Sequence, residues 1–229
     1  VADFLEALIY EMTKVKYDPN RKMQWLIDIE RWKENLNYRY RENGKLKPQY
    51  IIKEIDRLVD KGNTIITTDV GSNQMWVAQF YHCKVPYTFL TSGGMGTMGF
   101  GLPAAIGAYY AKPNFHIINI TGDGSFQMNI QELATVKQYH LPIKIFVLTN
   151  GTLGLVRQFQ EVKFGGRYTS TILEFNPDFS TIAKAYNIKG IKVTGRNEVK
   201  EAIKFALNID GPIVVDFKID PMEKVLPIL

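Results

Sequence analysis

The segment 116–154, HIINITGDGSFQMNIQELATVKQYHLPIKIFVLTNGTLG, restricts this chain more than any other stretch. An apolar run ends in Gly122-Asp123-Gly124, a helical pattern follows, and a second apolar run ends in Thr149-Asn150-Gly151. That order reads as strand, turn, helix, strand, turn. A right-handed crossover makes the two strands parallel neighbours, so both turns emerge at one carboxyl edge of the sheet, with Asp123 and Asn150 facing each other. Two hard oxygen ligands on a glycine-lined edge beside a helix N-terminus describe a seat for a magnesium-bound diphosphate. A Gly-Asp-Gly alone marks no more than a turn. The 27 residues from Asp123 to Asn150 raise it above that, because one helix and one strand need about that length.

The rest of the chain fits around this unit. Residues 2–15 place Phe4, Leu5, Leu8, Ile9 and Met12 on one helical face, and residues 22–35 repeat the pattern with Trp25, Leu26, Ile29 and Trp32. The charged stretch 38–47 has the composition of a connector. From Pro48, short β-branched or apolar runs alternate with helical patterns. Helices are expected over 48–58, 74–81, 102–110, 155–163, 180–186 and from a cap at Asn197 to 208; strands are expected over 63–70, 87–90, 191–193 and 212–218. Such alternation is that of an α/β fold, a parallel sheet with helices on both faces, preceded by a helical N-terminal tail. Three turns then meet at the carboxyl edge: Gly71-Ser72-Asn73, Gly122-Asp123-Gly124-Ser125 and Asn150-Gly151-Thr152. Each precedes a helix and aims backbone N–H groups at one place. The glycines of 92–101 allow a ligand or another backbone to come close.

Composition excludes several function classes. With 229 residues the chain holds one full domain and a remainder. A net charge of +5, with the cations dispersed, gives no basic run interleaved with aromatics, so nucleic acid is not an expected partner. No apolar stretch reaches the roughly 20 residues that cross a bilayer, and no membrane partner is expected. Cys83 is the only cysteine; it can form no internal disulfide, fits a reducing cytoplasm, and reads as a small buried apolar residue. His82, His116 and His140 are scattered, and His116 falls in a strand, so they read as structural. Trp25, Trp32 and Trp76 read as core or interface. Arg157 and Gln158, near the active-site end of a helix, suit either a substrate carboxylate or an exposed face. The start at Val1, inside a helical pattern, reads as that of an excised fragment.

The runs TSGGMGTMGFGLPAAIGA, GDGSFQMNIQELATVKQY, RYTST and the closing VLPIL resemble the large catalytic subunit of acetolactate synthase (acetohydroxyacid synthase), over nearly the whole chain. By this resemblance residues 43–229 are a C-terminal thiamine diphosphate-binding domain, and 1–42 are the last helices of a middle domain plus a linker. It implies Asp123 and Asn150 as magnesium ligands with the Thr152 carbonyl. Gly71, Ser72, Asn73, Gly122, Gly124, Ser125 and Gly151 would hold the diphosphate. Gly96 would accept a hydrogen bond from the aminopyrimidine, and Met98 would prop the cofactor in its bent shape. The family decarboxylates pyruvate and condenses the product with a second 2-oxoacid in branched-chain amino acid biosynthesis. Its activating Glu lies in an N-terminal pyrimidine-binding domain, so residues 1–229 alone are expected to be silent. FAD is expected only in the full-length enzyme; a homodimer, through the helices around 92–110 and 129–139, and a regulatory small subunit are the expected protein partners. Three departures stand out. Thr149 replaces the first of two Asn residues, and Ser72-Asn73 replaces Gln-His. Leu155 and Phe159 stand where Met and Trp are frequent, which implies a weaker preference for 2-oxobutyrate over pyruvate and weaker sulfonylurea binding, if the two are more than packing residues. Another thiamine diphosphate-dependent decarboxylase or oxidase, or a non-catalytic fragment of the cofactor fold, are the alternatives.

Overall fold

The structure, a computed structural model, describes residues 1–16, 18–35, 38 and 40–226. Two compact units divide the chain, Val1–Arg39 and Tyr40–Leu229. In the first, α1 (Ala2–Thr13) and α2 (Met23–Asn35) flank a 3-10 turn, Pro19–Lys22. Asp18 caps that turn by accepting from the Asn20 N–H at 2.9 Å. Both helices form where the 3.6-residue spacing places them, yet the apolar side chains of α1, Phe4 and Ile9 among them, are exposed. Trp25 and Trp32 meet edge to face with centroids 5.4 Å apart.

The second unit runs α3 (Pro48–Leu58), β1 (Thr64–Thr68), α4 (Ser72–Phe80), β2 (Phe89–Thr91), α5 (Gly101–Ala111), β3 (His116–Gly122), α6 (Asp123–Met128), α7 (Leu133–Gln138), β4 (Lys144–Thr149), α8 (Gly154–Lys163), α9 (Phe179–Ala185), β5 (Lys189–Val193), α10 (Arg196–Asn208) and β6 (Ile213–Lys218). One six-stranded sheet has the order β2-β1-β3-β4-β6-β5, with every pair parallel. The reason lies in the strand sequences. TIITT and KIFVLT are buried from end to end, as strands covered by helices on both faces must be. Ile66, Ile118, Phe146 and Val215 pack on the face that carries α3, α4 and α10, whereas Ile65, Ile117, Ile145 and Val214 pack on the face of α5, α7 and α9. Full burial of each such side chain contributes about 1.5–3 kcal/mol.

Strand order decides where a ligand can sit. After β1 the chain passes through α4 and lays β2 on one flank; it returns through α5 and lays β3 on the other flank of β1. The turn after β1 feeds a helix on one face and the turn after β3 feeds helices on the opposite face. A crevice therefore opens between the two turns at the carboxyl edge.

Three local readings of the sequence are corrected. The crossover between β3 and β4 is no single helix: it breaks at Asn129 and passes through a 3-10 turn, Ile130–Glu132, because the Asn129 amide donates to the Gly99 carbonyl at 2.7 Å. Asn197 lies inside α10, whose N-cap is Gly195. There the Glu198 carboxylate accepts from the backbone N–H groups of Gly195 and Thr194 at 2.8 and 2.9 Å. Cys83 is exposed, with its Sγ 3.2 Å from the Val85 carbonyl.

Candidate functional site

At the end of β1, Gly71 takes φ +135°, a conformation that L side chains rarely adopt, and starts α4. The buried Asn73 amide donates to the carbonyls of Asp69 at 3.1 Å and Ile120 at 3.2 Å, tying the ends of β1 and β3 together. Its side-chain donors are thereby committed to the sheet. Ser125 Oγ donates across the same crevice to the Val70 carbonyl at 3.1 Å. The third turn closes in because Gly154 lacks a side chain: a Cβ there would lie 2.9 Å from Ser72 Oγ and 3.0 Å from Asn150 Nδ2.

These three turns line a cleft at the switch point. Gly71, Ser72, Asn73, Gly122, Asp123, Gly124, Ser125, Asn150 and Thr152 all face it, together with Met98 and Leu155. Gly151 contributes through its backbone, while Gly96 and Phe159 are not among the lining residues. Gly96 takes φ +66° on the exposed stretch leading to Met98, and Phe159 is 39% exposed. The Met98 Cε lies 3.6 Å from where a Cβ on Gly124 would stand, so the methyl sits over the Gly-Asp-Gly turn.

Asp123 is the electrostatic centre. It is 2% exposed, and its partners are all neutral donors. Oδ1 accepts from Gly124 N–H at 3.0 Å; Oδ2 accepts from Asn150 N–H at 3.1 Å, Gly151 N–H at 2.6 Å and the Asn176 amide at 2.7 Å. Burial pushes its carboxyl above the ordinary range, and these donors offset only part of that. Asn150 Oδ1 accepts from Thr152 N–H at 3.0 Å, which leaves it a second lone pair. Thr152 Oγ1 is buried and lacks a hydrogen-bond partner among the described residues. A short antiparallel bridge from Thr152 to Ile172, with Leu153 N–H donating to Thr171 O at 2.8 Å, fixes this turn from outside.

The sequence reading missed two polar residues of the site. Asp69 is 1% exposed; it accepts from Gly101 N–H at 3.0 Å and from Thr121 Oγ1 at 2.6 Å, and so fastens the segment that carries Met98 to β1 and β3. Burial raises its carboxyl too. A signal existed, since an acid follows β1 directly at the carboxyl edge. Asn176 reaches Asp123 from 53 residues away, and no local pattern announces it.

Arg157 and Gln158 turn out to be buried, which overturns the exposed-face reading. Arg157 Nη1 lies 3.4 Å from Met222 Sδ, and Gln158 grips the Val225 backbone. Trp76 is core, 1% exposed. His82 is exposed and sits 3.0 Å from Asp56. Of the VLPIL motif, residues 227–229 lie outside the described residues.

Comparison with known proteins finds relatives over most of the chain. The family described as thiamine pyrophosphate enzyme, C-terminal TPP binding domain, matches residues 69–217. The chain is 43% identical over 225 residues, 95% of its length, to a probable acetolactate synthase large subunit of Methanococcus aeolicus, of which this covers 37%. To the corresponding protein of Methanocaldococcus jannaschii it is 46% identical over 187 residues, covering 80% of this chain and 32% of that one. The mitochondrial acetolactate synthase catalytic subunit of Saccharomyces cerevisiae is 40% identical over 223 residues, 95% of this chain and 32% of its own. The chain thus spans about a third of the length of the curated relatives it matches.

Proposed function

The chain belongs to the thiamine pyrophosphate enzymes, as a C-terminal TPP-binding domain, and from that premise we propose that it is the cofactor-seating part of an acetolactate synthase large subunit. The observation that carries the reading is Asp123, a buried carboxylate with no cationic partner among the described residues, flanked by Asn150 and Thr152 on one cleft. A divalent cation offsets the desolvation that raises this carboxyl. The donor set is all oxygen, which suits magnesium shared with a diphosphate. The Asp123 carboxylate, the free lone pair of Asn150 Oδ1 and the Thr152 carbonyl would hold the metal. Backbone N–H groups of the turns at Gly71 and Gly122 would bind the diphosphate, while the Gly151 N–H, expected there too, is spent on Asp123 Oδ2.

When bound, thiamine diphosphate supplies the electron sink for decarboxylating a 2-oxoacid. The residues of this chain bind and orient. Met98, held by the anchoring of Gly101 to Asp69, presents its methyl over Gly124, where it would prop the cofactor. Gly96, on the stretch before it, would offer its carbonyl to the aminopyrimidine. Leu155 lines the cleft and Phe159 follows it by one turn of α8; we assign both to the choice of the second 2-oxoacid. Phe159, smaller than the Trp frequent at that position, would weaken discrimination for 2-oxobutyrate over pyruvate. The whole enzyme would join two pyruvates, or pyruvate and 2-oxobutyrate, for branched-chain amino acid biosynthesis, as a homodimer with a regulatory small subunit and with FAD held elsewhere. A cytoplasmic enzyme fits; among the described residues no helix is long and apolar enough to cross a membrane.

Calorimetric titration of the chain with thiamine diphosphate, with magnesium and then with EDTA, tests the seat. Saturable binding that disappears with EDTA and in Asp123→Ala is the expected result. Binding that ignores both changes, or no binding at all, would overturn the reading.

A further inference from the structure

The stretch between β2 and α5 carries Gly96 and Met98, and its residues 93–97 are exposed. Its glycines leave the backbone soft, so its place is set from its two ends. At the start, Thr91 Oγ1 accepts from Thr68 Oγ1 at 2.8 Å and from Gln74 Nε2 at 2.7 Å. At the far end α5 has no side-chain cap from its own N-cap residue, Phe100. Asp69, arriving from the end of β1, takes that part. Its Oδ1 accepts from Gly101 N–H at 3.0 Å, the N–H groups of Gly99 and Phe100 also bear on the carboxylate, and Thr121 Oγ1 donates to Oδ2 at 2.6 Å. A carboxylate at a helix N-terminus fills orphan donors and meets the positive end of the helix. The Asn129 amide adds one bond, to the Gly99 carbonyl at 2.7 Å.

The turns that would seat the diphosphate depend on other bonds. The Asn73 amide donates to the Asp69 and Ile120 carbonyls, and Ser125 Oγ donates to the Val70 carbonyl. These acceptors are main-chain atoms, which a change of the Asp69 side chain leaves in place. Thr121 Oγ1, once released, still has the Gly122 carbonyl at 3.1 Å. We propose that Asp69 is a positioning residue for the head of the cofactor: it fixes the stretch that carries Gly96 and Met98, and so sets how much more tightly the cleft holds thiamine diphosphate than inorganic diphosphate. The hold on the diphosphate itself does not depend on it. This inference rests on the thiamine diphosphate reading of the cleft.

The test is calorimetric titration of the whole chain, in magnesium chloride, with thiamine diphosphate and, separately, with inorganic diphosphate, for the wild type, Asp69→Ala and Asp69→Asn. A stretch that holds its supporting position a tenth of the time weakens the ligand that needs it about tenfold. In Asp69→Ala the affinity for thiamine diphosphate should therefore fall about tenfold or more, while that for inorganic diphosphate stays as in the wild type. Asp69→Asn keeps one acceptor but loses the charge at the N-terminus of α5, and should lower the ratio of the two affinities by less. Equal losses for both ligands, as loosening of the whole cleft would give, or an unchanged ratio, overturns the role of Asp69 while leaving the seat intact. Equal affinities for the two ligands in the wild type overturn it as well, because the stretch then holds no head. A wild-type chain that binds neither ligand removes both proposals. Melting curves without ligand show whether each variant is folded, and Asp69→Asn decides the matter if Asp69→Ala is not.

Discussion

Gln158 and Val225 form a two-bond clamp: Gln158 Nε2 donates to the Val225 carbonyl at 2.7 Å, and the Val225 N–H donates to Gln158 Oε1 at 2.9 Å. Gln158 is 2% exposed, so its amide serves α8 as a stretch of strand backbone would, fixing the C-terminal segment. Gln158→Leu leaves a buried N–H and a buried carbonyl unpaired. The expected loss is about 2–4 kcal/mol in urea denaturation. Gln158→Glu keeps the acceptor but sets a buried carboxylate oxygen against the Val225 carbonyl, so at pH 7 it should be no more stable than Gln158→Leu.

Gly101 and Gly107 share α5 but differ in surroundings. A Cβ on Gly101 would stand 2.5 Å from Asn119 Nδ2, 2.8 Å from Asp69 Oδ2 and 3.0 Å from the Asp69 backbone nitrogen, whereas one on Gly107 meets nothing within 4 Å. Gly101→Ala should destabilise by about 1–3 kcal/mol and weaken cofactor binding, since it disturbs the anchor of the Met98 segment. Gly107→Ala should stabilise by about 0.5–1 kcal/mol through helix propensity. Thermal melts of the pair test the contrast.

Lys144 is 4% exposed, and its ammonium donates to the carbonyls of Ile209 and Gly211, each at 2.7 Å. Burial pushes its pKa down to about 8. The unfolded chain holds this proton more tightly, so between pH 8 and about 10.4 it binds more protons than the folded chain, and stability rises with pH across that window. The difference in unfolding free energy between wild type and Lys144→Met should therefore grow from pH 7.5 to 10.5. A flat or falling difference would show that burial does not govern the group.

Asp220 accepts from the buried Lys47 ammonium at 2.8 Å and from the Asn43 amide at 3.0 Å, while Glu223 also contacts Lys47. Burial alone would raise the Asp220 carboxyl; these donors and the Met222 N–H outweigh it and hold the carboxyl well below its usual range. Lys47 is raised: burial would lower it, and the bonds to Asp220 and Glu223 prevail. A depressed carboxyl stabilises the fold above its unfolded pKa, about 3.9, and that stability is lost as pH falls through the folded value. Asp220→Asn should be less stable than wild type at pH 7, and the gap should narrow on going to pH 3. Guanidinium titrations at the two pH values check this.

Particular residues show what was legible. The runs TIITT, HIINITG, KIFVLT and IVVDFK declared a parallel sheet because they alternate with helical patterns, and the crossover length put Asp123 beside Asn150. The Asn129 break in the crossover was not legible, because the Gly99 carbonyl that draws its amide away is 30 residues distant. Nor was the exposure of Cys83, since a small apolar residue next to a helix end carries no period. Arg157 and Gln158 read equally as active-site or surface residues, because the C-terminal segment that buries them is fixed by contacts more than 60 residues apart.

The sequence by itself determined the elements, their parallel arrangement and the arrival of three turns at one edge, because periodicity, turn chemistry and crossover handedness are local. Only the tertiary structure decided which oxygen of Asp123 remains available, that Asp69 anchors the Met98 segment, and that Asn176 closes the back of the site. Those outcomes depend on hydrogen-bond directions between groups brought together by the sheet, and a linear pattern carries no information about direction.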